Sequence, residues 1–403
     1  MQRTDFAEIF LEHFSSSPLT WENVFRGAEY LDKTKKEVVD LLLVLRNEGI
    51  FISLKCQKDP NKRRDVKLAK WTIKNAKAAL KQLRGGIRTS QNKGYWCEHP
   101  RRGMVNFKPN EIQVTHGIVL VETVEVVRLE DDCAIEISGI PVSYFSVNDF
   151  LNILKELRTI KDIQRYLESR KSLLEEILAT LGSEKTIYEF YILNNGVFPK
   201  SISLSQIGVE VESNKEQIDK LIRQKSLMDK NALIIENVSN ALSKRLEGYE
   251  KGLDKKTSME HDSPFNRKNY LLMQNELCGL VLDERRKIGN VFFETMEKVR
   301  AEDNKESMIY KAIWSDSKPY FQYVLAASKG VERKELLKRS EVLIRTALAE
   351  YNKTRGMIIT YNQDIDNFEV VLINKYDRNE YEVKIGKQLF GQLKMTDIPI
   401  ERV

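Results

Sequence analysis

The stretch that decides the fold runs from residue 37 to residue 57 and reads EVVDLLLVLRNEGIFISLKCQ. Val38–Leu45 is a nearly continuous apolar run of residues that favour β-structure, and Ile50–Gln57 is a second such run. Between them, Arg46–Gly49 has the composition of a four-residue turn, in which the glycine supplies unusual backbone angles. The pattern therefore predicts a β-hairpin.

A polar set lies inside this otherwise apolar hairpin. With a four-residue turn, Asp40 lies opposite Lys55, and strand alternation places Ser53, Lys55 and Gln57 on the face that carries Asp40. Burying a polar group costs free energy unless the group is paired or binds something. These residues therefore form either a cross-strand ion pair or a functional site.

Helical periodicity follows the hairpin. Apolar residues recur at three- and four-residue steps from Val66 to Leu83 and predict one buried stripe, which Gly85-Gly86 is expected to end. Basic residues follow the same steps one position later, about 100° round the helix. This cationic ridge consists of Lys67, Lys70, Lys74, Lys77, Lys81 and Arg84, and Arg88 follows it. Because no acid interrupts the ridge, we expect it to bind nucleic-acid phosphates rather than serve as ordinary solvated surface.

The positive charge of the chain is concentrated in one place. The 403 residues carry a net charge of +6, whereas residues 58–102 hold fourteen Lys and Arg against three acids, a net +11. The remainder is therefore slightly acidic. A local basic block on such a protein indicates a polyanionic partner.

The composition predicts a globular chain, with 41% hydrophobic and 31% charged residues. Apolar runs such as Leu41–Leu45 are too short to cross a bilayer, and the first residues do not resemble a secretory signal. Four separate cysteines without a CxxC pair favour reduced thiols over a zinc site. We therefore expect a cytoplasmic protein without a membrane partner.

The rest of the chain predicts three parts. Residues 1–182 read as an α/β domain with a mixed sheet, residues 183–260 as a mostly helical middle segment, and residues 265–403 as an α+β C-terminal domain of unknown role.

Local signals fill in these parts. Residues 89–111 read as a loop, strand signals return at 112–129, and Ser146 with Asp149 resembles a capping box that opens a long helix to about 181. A second long helix is predicted at 268–300. A helix is predicted at 333–351, and strands follow it at 356–361, 368–373 and 381–385.

The hairpin resembles the PD-(D/E)xK superfamily of restriction-endonuclease-like nucleases, nearest to the nuclease-related and Mrr-like branches. The likeness rests on EVVD at residues 37–40, an apolar strand, a turn, and ISLK at residues 52–55, and it covers roughly residues 1–180. It implies an αβββαβ core and a DNA endonuclease that depends on Mg²⁺ or Mn²⁺. It further implies catalytic roles for Asp40, Ser53, Lys55 and Gln57.

The resemblance also implies a metal site formed by Asp40, Glu8 and Glu37. Members of the superfamily often add a glutamine from the second strand or the next helix, for which Gln57 and Gln82 are available. Lys55 would then orient the attacking water or stabilise the charge that develops on the phosphate.

One departure from the superfamily pattern bears on activity. The acid that usually precedes x-Lys is Ser53 here, and a hydroxyl is a poorer magnesium ligand than a carboxylate. Either another acid supplies the charge (Glu8, Glu37 or Asp59), or the domain binds DNA without cutting it.

The resemblance leads us to expect a subunit of a bacterial restriction, repair or phage-defence system that hydrolyses DNA. Two alternatives stay open. The first is an inactive nuclease-fold subunit that only binds DNA. The second is an assembly protein that joins a second subunit or a second copy of itself through the long helices 146–181 and 268–300.

Overall fold

The structure is a computed structural model that describes residues 22–30, 37–56, 66–99, 103–123, 125–129, 133–173, 179–199, 202–244, 264–315 and 318–390. The strands in these residues are β1 (Val24–Tyr30), β2 (Glu37–Leu45), β3 (Glu48–Lys55), β4 (Tyr95–His99), β5 (Gly103–Phe107), β6 (Gln113–Val121), β7 (Val127–Arg128), β8 (Glu136–Ile137), β9 (Ile140–Ser146), β10 (Thr180–Leu181), β11 (Ser307–Trp314), β12 (Phe321–Lys329), β13 (Arg355–Asn362) and β14 (Asn367–Ile373). The helices are α1 (Val66–Asn92), α2 (Val147–Leu157), α3 (Ile160–Arg170), α4 (Glu184–Leu193), α5 (Leu204–Ser213), α6 (Lys215–Lys244), α7 (Pro264–Cys278), α8 (Leu282–Ala301), α9 (Arg333–Glu350) and α10 (Glu380–Phe390).

The larger sheet has eight strands in the order β5-β4-β1-β2-β3-β6-β9-β8. β6 runs parallel to both β3 and β9, whereas the other neighbouring strands are antiparallel. The predicted mixed sheet in an α/β arrangement is therefore confirmed.

Both faces of this sheet are covered, which explains the nearly continuous apolar sequence of β2. Leu42 and Phe51 belong to the buried cluster that includes α1, while Leu41 and Ile52 belong to the cluster on the opposite face. A strand with two buried faces reads as an unbroken apolar run.

The turn of the hairpin is shorter than predicted. Leu45 pairs with Glu48, so only Arg46 and Asn47 form the turn, and Arg46 takes the left-handed conformation with φ 59°. Gly49 lies within β3, where an added Cβ would come within 2.5 Å of a neighbouring isoleucine side chain. The predicted four-residue turn is therefore wrong, and the glycine serves close packing.

The shorter turn shifts the pairing of the two strands by two residues, so Asp40 is not directly opposite Lys55 as predicted. Because side chains alternate with a period of two, this shift leaves Asp40, Ser53 and Lys55 on one face, the face that α1 covers.

The predicted end of the first helix is also wrong. α1 continues through Gly85 and Gly86 to Asn92. An added Cβ at Gly86 would lie 2.8 Å from the carbonyl oxygen of Val38, so this glycine lets the helix approach β2 closely. The predicted loop at 89–111 is instead the end of α1 and the antiparallel pair β4–β5.

Both predicted long helices are broken. The Ser146 hydroxyl accepts a hydrogen bond from the Asp149 N–H as expected, but the helix ends at Arg158, which has φ 57°, and α3 begins anew. The second long helix is interrupted between α7 and α8 at residues 279–281. Neither forms the continuous rod on which the assembly hypothesis was based.

The second sheet has four strands in the order β11-β12-β13-β14. β12 and β13 are parallel, and α9 connects them. The strands predicted at 356–361 and 368–373 are confirmed, whereas residues 381–385 lie in α10. Its Gly386 approaches the Thr346 carbonyl of α9, where an added Cβ would lie 2.5 Å away.

One buried apolar cluster contains residues of all three predicted parts, from Val24 to Val370. The division at residues 182 and 260 stays a prediction.

One carboxylate links the hairpin to the second sheet. Glu276 Oε2 lies 3.2 Å from Arg46 Nη2 and 3.0 Å from Lys318 Nζ, and its Oε1 lies 2.9 Å from Arg355 Nη2. Burial alone would raise the pKa of Glu276, but the charges of these three cations outweigh burial and lower the pKa below its ordinary value.

Candidate active site

The candidate site lies between the hairpin and α1. Asp40 comes from β2, Ser53 and Lys55 come from β3, and Gln82 comes from the helix that covers them. β3 is held between antiparallel β2 and parallel β6, so the backbone that carries Ser53 and Lys55 is fixed on both sides.

Four side chains converge there. Lys55 Nζ lies 3.6 Å from Asp40 Oδ2 and donates a hydrogen bond of 2.6 Å to Gln82 Oε1. The Ser53 hydroxyl lies 3.1 Å from Asp40 Oδ2 and 2.9 Å from Gln82 Oε1. Since a hydroxyl has one proton, it donates to one of these two oxygens at a time.

The backbone also contributes to the site. The N–H of Leu54 donates a hydrogen bond of 2.7 Å to Asp40 Oδ2. A backbone donor and a charge-assisted contact thus fix the orientation of the Asp40 carboxylate.

The site is largely buried but not closed. The side chains of Asp40 and Lys55 are 12% and 14% exposed, Ser53 is buried, and Gln82 is half-buried. Both charged side chains therefore keep a small part of their surface in contact with solvent.

The fit of a divalent cation rests on Asp40. Its hydrogen bonds and its ion pair all fall on Oδ2, which leaves Oδ1, a hard oxygen of the type that Mg²⁺ prefers. Among the described residues there is no group of three His, Cys, Asp or Glu that could hold a metal ion.

Several predicted site residues cannot be placed. Glu8, Gln57 and Asp59 lie outside the described residues, and the side chains of Glu37 and Lys67 are not described. Their roles as metal ligands, catalytic group or phosphate contact stay predictions.

The cationic ridge borders the site. Four of its members are exposed on α1, namely Lys70, Lys74, Lys81 and Arg84; Arg88, which follows the ridge, is also exposed, and Lys77 is half-buried. At 100° per residue, Trp71, Ala78 and Gln82 share a row that separates the buried side of α1 from this ridge. From Lys70 to Arg88 the ridge extends about 27 Å, which is long enough to contact several phosphates.

Sequence reasoning placed Asp40, Ser53 and Lys55 on one face, and this is confirmed. Only the family resemblance pointed to Gln82 as a site residue, because a single glutamine between a buried and a charged row of a helix does not by itself indicate a site. The Leu54 N–H gave no signal, since any strand residue has one.

Comparison with known proteins found no match: no protein-family model, no curated protein and no solved structure is similar to this chain. Among the helices of the described residues, none combines the length and the apolar character that a bilayer span requires.

Proposed function

We propose that the site around Asp40 and Lys55 hydrolyses phosphodiester bonds of DNA with the help of Mg²⁺ or Mn²⁺, as a DNA endonuclease. The observation that carries the proposal is the convergence of an acid, an amine and an amide within hydrogen-bonding range beside an exposed cationic ridge.

The order of elements supports a restriction-endonuclease-like core. Three antiparallel strands, β1 to β3, are followed by α1, by the edge pair β4–β5 and then by β6 parallel to β3, so the order matches the βββαβ part of the expected arrangement with β4–β5 inserted before its last strand. The acid lies on the second strand and the lysine on the third, as in the PD-(D/E)xK pattern. The helix expected first in that arrangement would lie before residue 22.

Asp40 Oδ1 is the described oxygen best suited to hold the cation, and Glu8, Glu37 or Asp59 would supply a second carboxylate. A bound cation would lower the pKa of a water and neutralise charge on the phosphate.

The protein's own groups have separate tasks in this proposal. The Lys55 ammonium stabilises negative charge on the phosphate, and Gln82 holds that ammonium in place. The ridge neutralises flanking phosphates and positions the duplex without reading its sequence. A role in a bacterial restriction, repair or phage-defence system rests on the family resemblance alone.

The second candidate is an inactive nuclease-fold subunit that binds DNA. Ser53 favours it, because the hydroxyl donates to the neighbouring oxygens and replaces the carboxylate that usually helps to hold the metal. Partners beyond DNA, whether a second subunit or a second copy of the chain, belong to this candidate.

Plasmid nicking distinguishes the two candidates. Supercoiled plasmid is incubated with Mg²⁺, Mn²⁺ or EDTA and with wild type, Asp40→Asn or Lys55→Ala, and duplex affinity is measured in parallel. The matched controls are Asp377→Asn and Lys387→Ala, which change exposed residues of the C-terminal part.

The endonuclease proposal expects nicking by wild type and by both controls. It expects at least a hundredfold slower nicking by the two site variants, with affinity within threefold of wild type. Nicking that survives Asp40→Asn contradicts the proposal. An absence of nicking with either metal, together with intact binding, favours the inactive subunit.

A further inference from the structure

A second surface with the features of a nucleic-acid contact lies outside the candidate site. α4, α5 and α6 follow one another and all three pack together. Their shared core consists of Ile187 and Phe190 of α4, Ile207 and Val211 of α5, and Ile218 of α6, all fully or nearly fully buried. Two short helices and the start of a long one, packed around one small core, resemble the frame of a helix-turn-helix unit.

The junctions of this unit are well defined. Ser203 caps α5 in a capping box with Gln206. A single residue, Asn214, separates α5 from α6, and its N–H donates to the carbonyls of Glu210 and Val211. Lys215, the first residue of α6, bonds Glu189 of α4 at 2.7 Å. The start of α6 is therefore fixed relative to the other two helices.

The two halves of α6 have different environments. In the second half, buried residues recur from Asp229 to Leu242, and this part packs against α8. In the first half only Ile218 is buried, so most of its surface faces solvent. A long helix that is anchored at one end presents the other as a rigid rod.

The outward row of the first half is basic. Lys220, Arg223, Leu227 and Lys230 recur at steps of three, four and three residues, all exposed, and span about 15 Å. Lys220, Arg223 and Lys230 make no ion pair with another residue in the described part of the chain. One acid, Glu216, lies a turn before this row.

Exposed amides accompany the cations. Gln217 and Gln224 flank the row and are exposed. In helix-turn-helix proteins, Arg and Gln side chains on the second helix of the motif form hydrogen bonds with base edges in the major groove. Asp219 lies one turn before Arg223, as Glu216 lies one turn before Lys220, so the exposed acids of this half are at the N-terminal end of the row.

We propose that the first half of α6 binds double-stranded DNA as the recognition helix of a helix-turn-helix unit, separately from the ridge on α1. The charge of the row complements phosphates, and the major groove of B-form DNA is wide enough to admit an α-helix. The inference does not require the chain to cleave DNA.

Fluorescence anisotropy with a labelled 24-base-pair duplex tests the proposal on the full chain, in EDTA so that cleavage plays no part. The test variants are Lys220→Glu with Arg223→Glu, and the milder Lys220→Ala with Arg223→Ala. The control is Lys334→Glu with Lys387→Glu, which makes the same charge change at exposed positions of α9 and α10.

The expected result is at least a tenfold loss of affinity in the glutamate pair and a smaller loss in the alanine pair. The slope of log K against log salt should fall by about two, one for each lost phosphate contact. The control should stay within threefold of wild type.

Two outcomes overturn the proposal: affinity within twofold of wild type in the glutamate pair, or an equal loss in the control. Circular dichroism establishes that the variants are folded. Because nicking is measured separately, failure of the endonuclease proposal and failure of this one are distinguishable.

Discussion

Gln82 Oε1 accepts a hydrogen bond of 2.6 Å from the ammonium of Lys55, so a side chain of α1 holds the cation that lies 3.6 Å from Asp40. The same oxygen lies 2.9 Å from the Ser53 hydroxyl. The helix that carries the cationic ridge thus also positions the amine of the site.

Removal of this contact should slow catalysis. In Gln82→Ala we expect the nicking rate to fall ten- to hundredfold, because hydrogen bonds to charged groups contribute about 1.5–3 kcal/mol. Gln82→Glu keeps an acceptor oxygen and should lose less. Single-turnover nicking and duplex affinity are measured together; an equal loss in both variants, or a loss of affinity alone, contradicts a positioning role.

The exposed ridge should determine the salt dependence of DNA binding. Reversing Lys70, Lys74 and Lys81 to glutamate is expected to weaken duplex binding by at least a hundredfold and to reduce the salt slope by about three. Anisotropy titrations between about 50 and 200 mM salt measure both quantities. Unchanged affinity would place DNA binding elsewhere and favour an assembly role for the chain.

Two adjacent glycines of α1 should respond in opposite directions. An added Cβ at Gly85 meets nothing within 4 Å, whereas one at Gly86 meets the Val38 carbonyl at 2.8 Å. Gly85→Ala should therefore raise the free energy of unfolding by about 0.5–1 kcal/mol, and Gly86→Ala should lower it by about 1–3 kcal/mol. Urea unfolding measures both, and a gain in Gly86→Ala would mean that α1 does not lie this close to β2.

The prediction from sequence succeeded where local pattern decides the structure. The hairpin, the helix that begins at Val66 and the cap at Ser146 each follow from a few neighbouring residues. It failed where a distant partner decides: Tyr95–His99 becomes a strand because β1 pairs with it. Similarly, Tyr381–Ile385 alternates like a strand but lies in a helix that packs on α9.

The site shows the same division. The face on which Asp40, Ser53 and Lys55 lie was predictable, because side chains alternate between the two faces along any strand. The contact of Lys55 with Gln82, 27 residues later in the chain, depends on how α1 crosses the sheet, and the sequence pattern does not determine that crossing.

The Glu276 cluster should make the protein sensitive to strong acid. The pKa of Glu276 is lower in the folded chain than its ordinary value of 4.5, so its stabilisation is present above that pH and is lost as pH falls through the lowered pKa. At pH 7 Glu276→Gln should cost about 2–3 kcal/mol, less than a fully buried pair because Arg46 and Arg355 are partly exposed.

The difference between Glu276→Gln and wild type should shrink as pH falls through the lowered pKa of Glu276, because the wild-type carboxyl then becomes neutral as well. Urea unfolding at pH 7, 5 and 3 follows it. Glu341→Gln, which affects an exposed pair with Arg345, is the control and should change stability by less than about 0.5 kcal/mol. A constant difference at all three pH values contradicts the charge-based explanation.

His116 should affect the free energy of unfolding at higher pH than Glu276 does. Burial lowers the pKa of His116 to about 4, although the nearby Glu168 raises it in part. The unfolded chain, with an ordinary value of 6.5, binds the proton more tightly, so stability falls as pH drops from 6.5 to 4, by up to about 3 kcal/mol. His116→Asn should flatten this dependence in calorimetric or urea measurements. Equal slopes in the variant and wild type would show that the imidazole does not remain neutral.

The pairing of β2 with β3 has a consequence for how the hairpin tolerates change in length. Adding or removing two residues at its tip, beyond Leu45, moves the acid and the amine past each other but leaves both under the same helix. A single insertion within either strand would instead turn one of the two groups toward the opposite layer. An even step thus keeps both groups in one layer but separates the two atoms that now lie 3.6 Å apart, whereas an odd step places the groups in different layers.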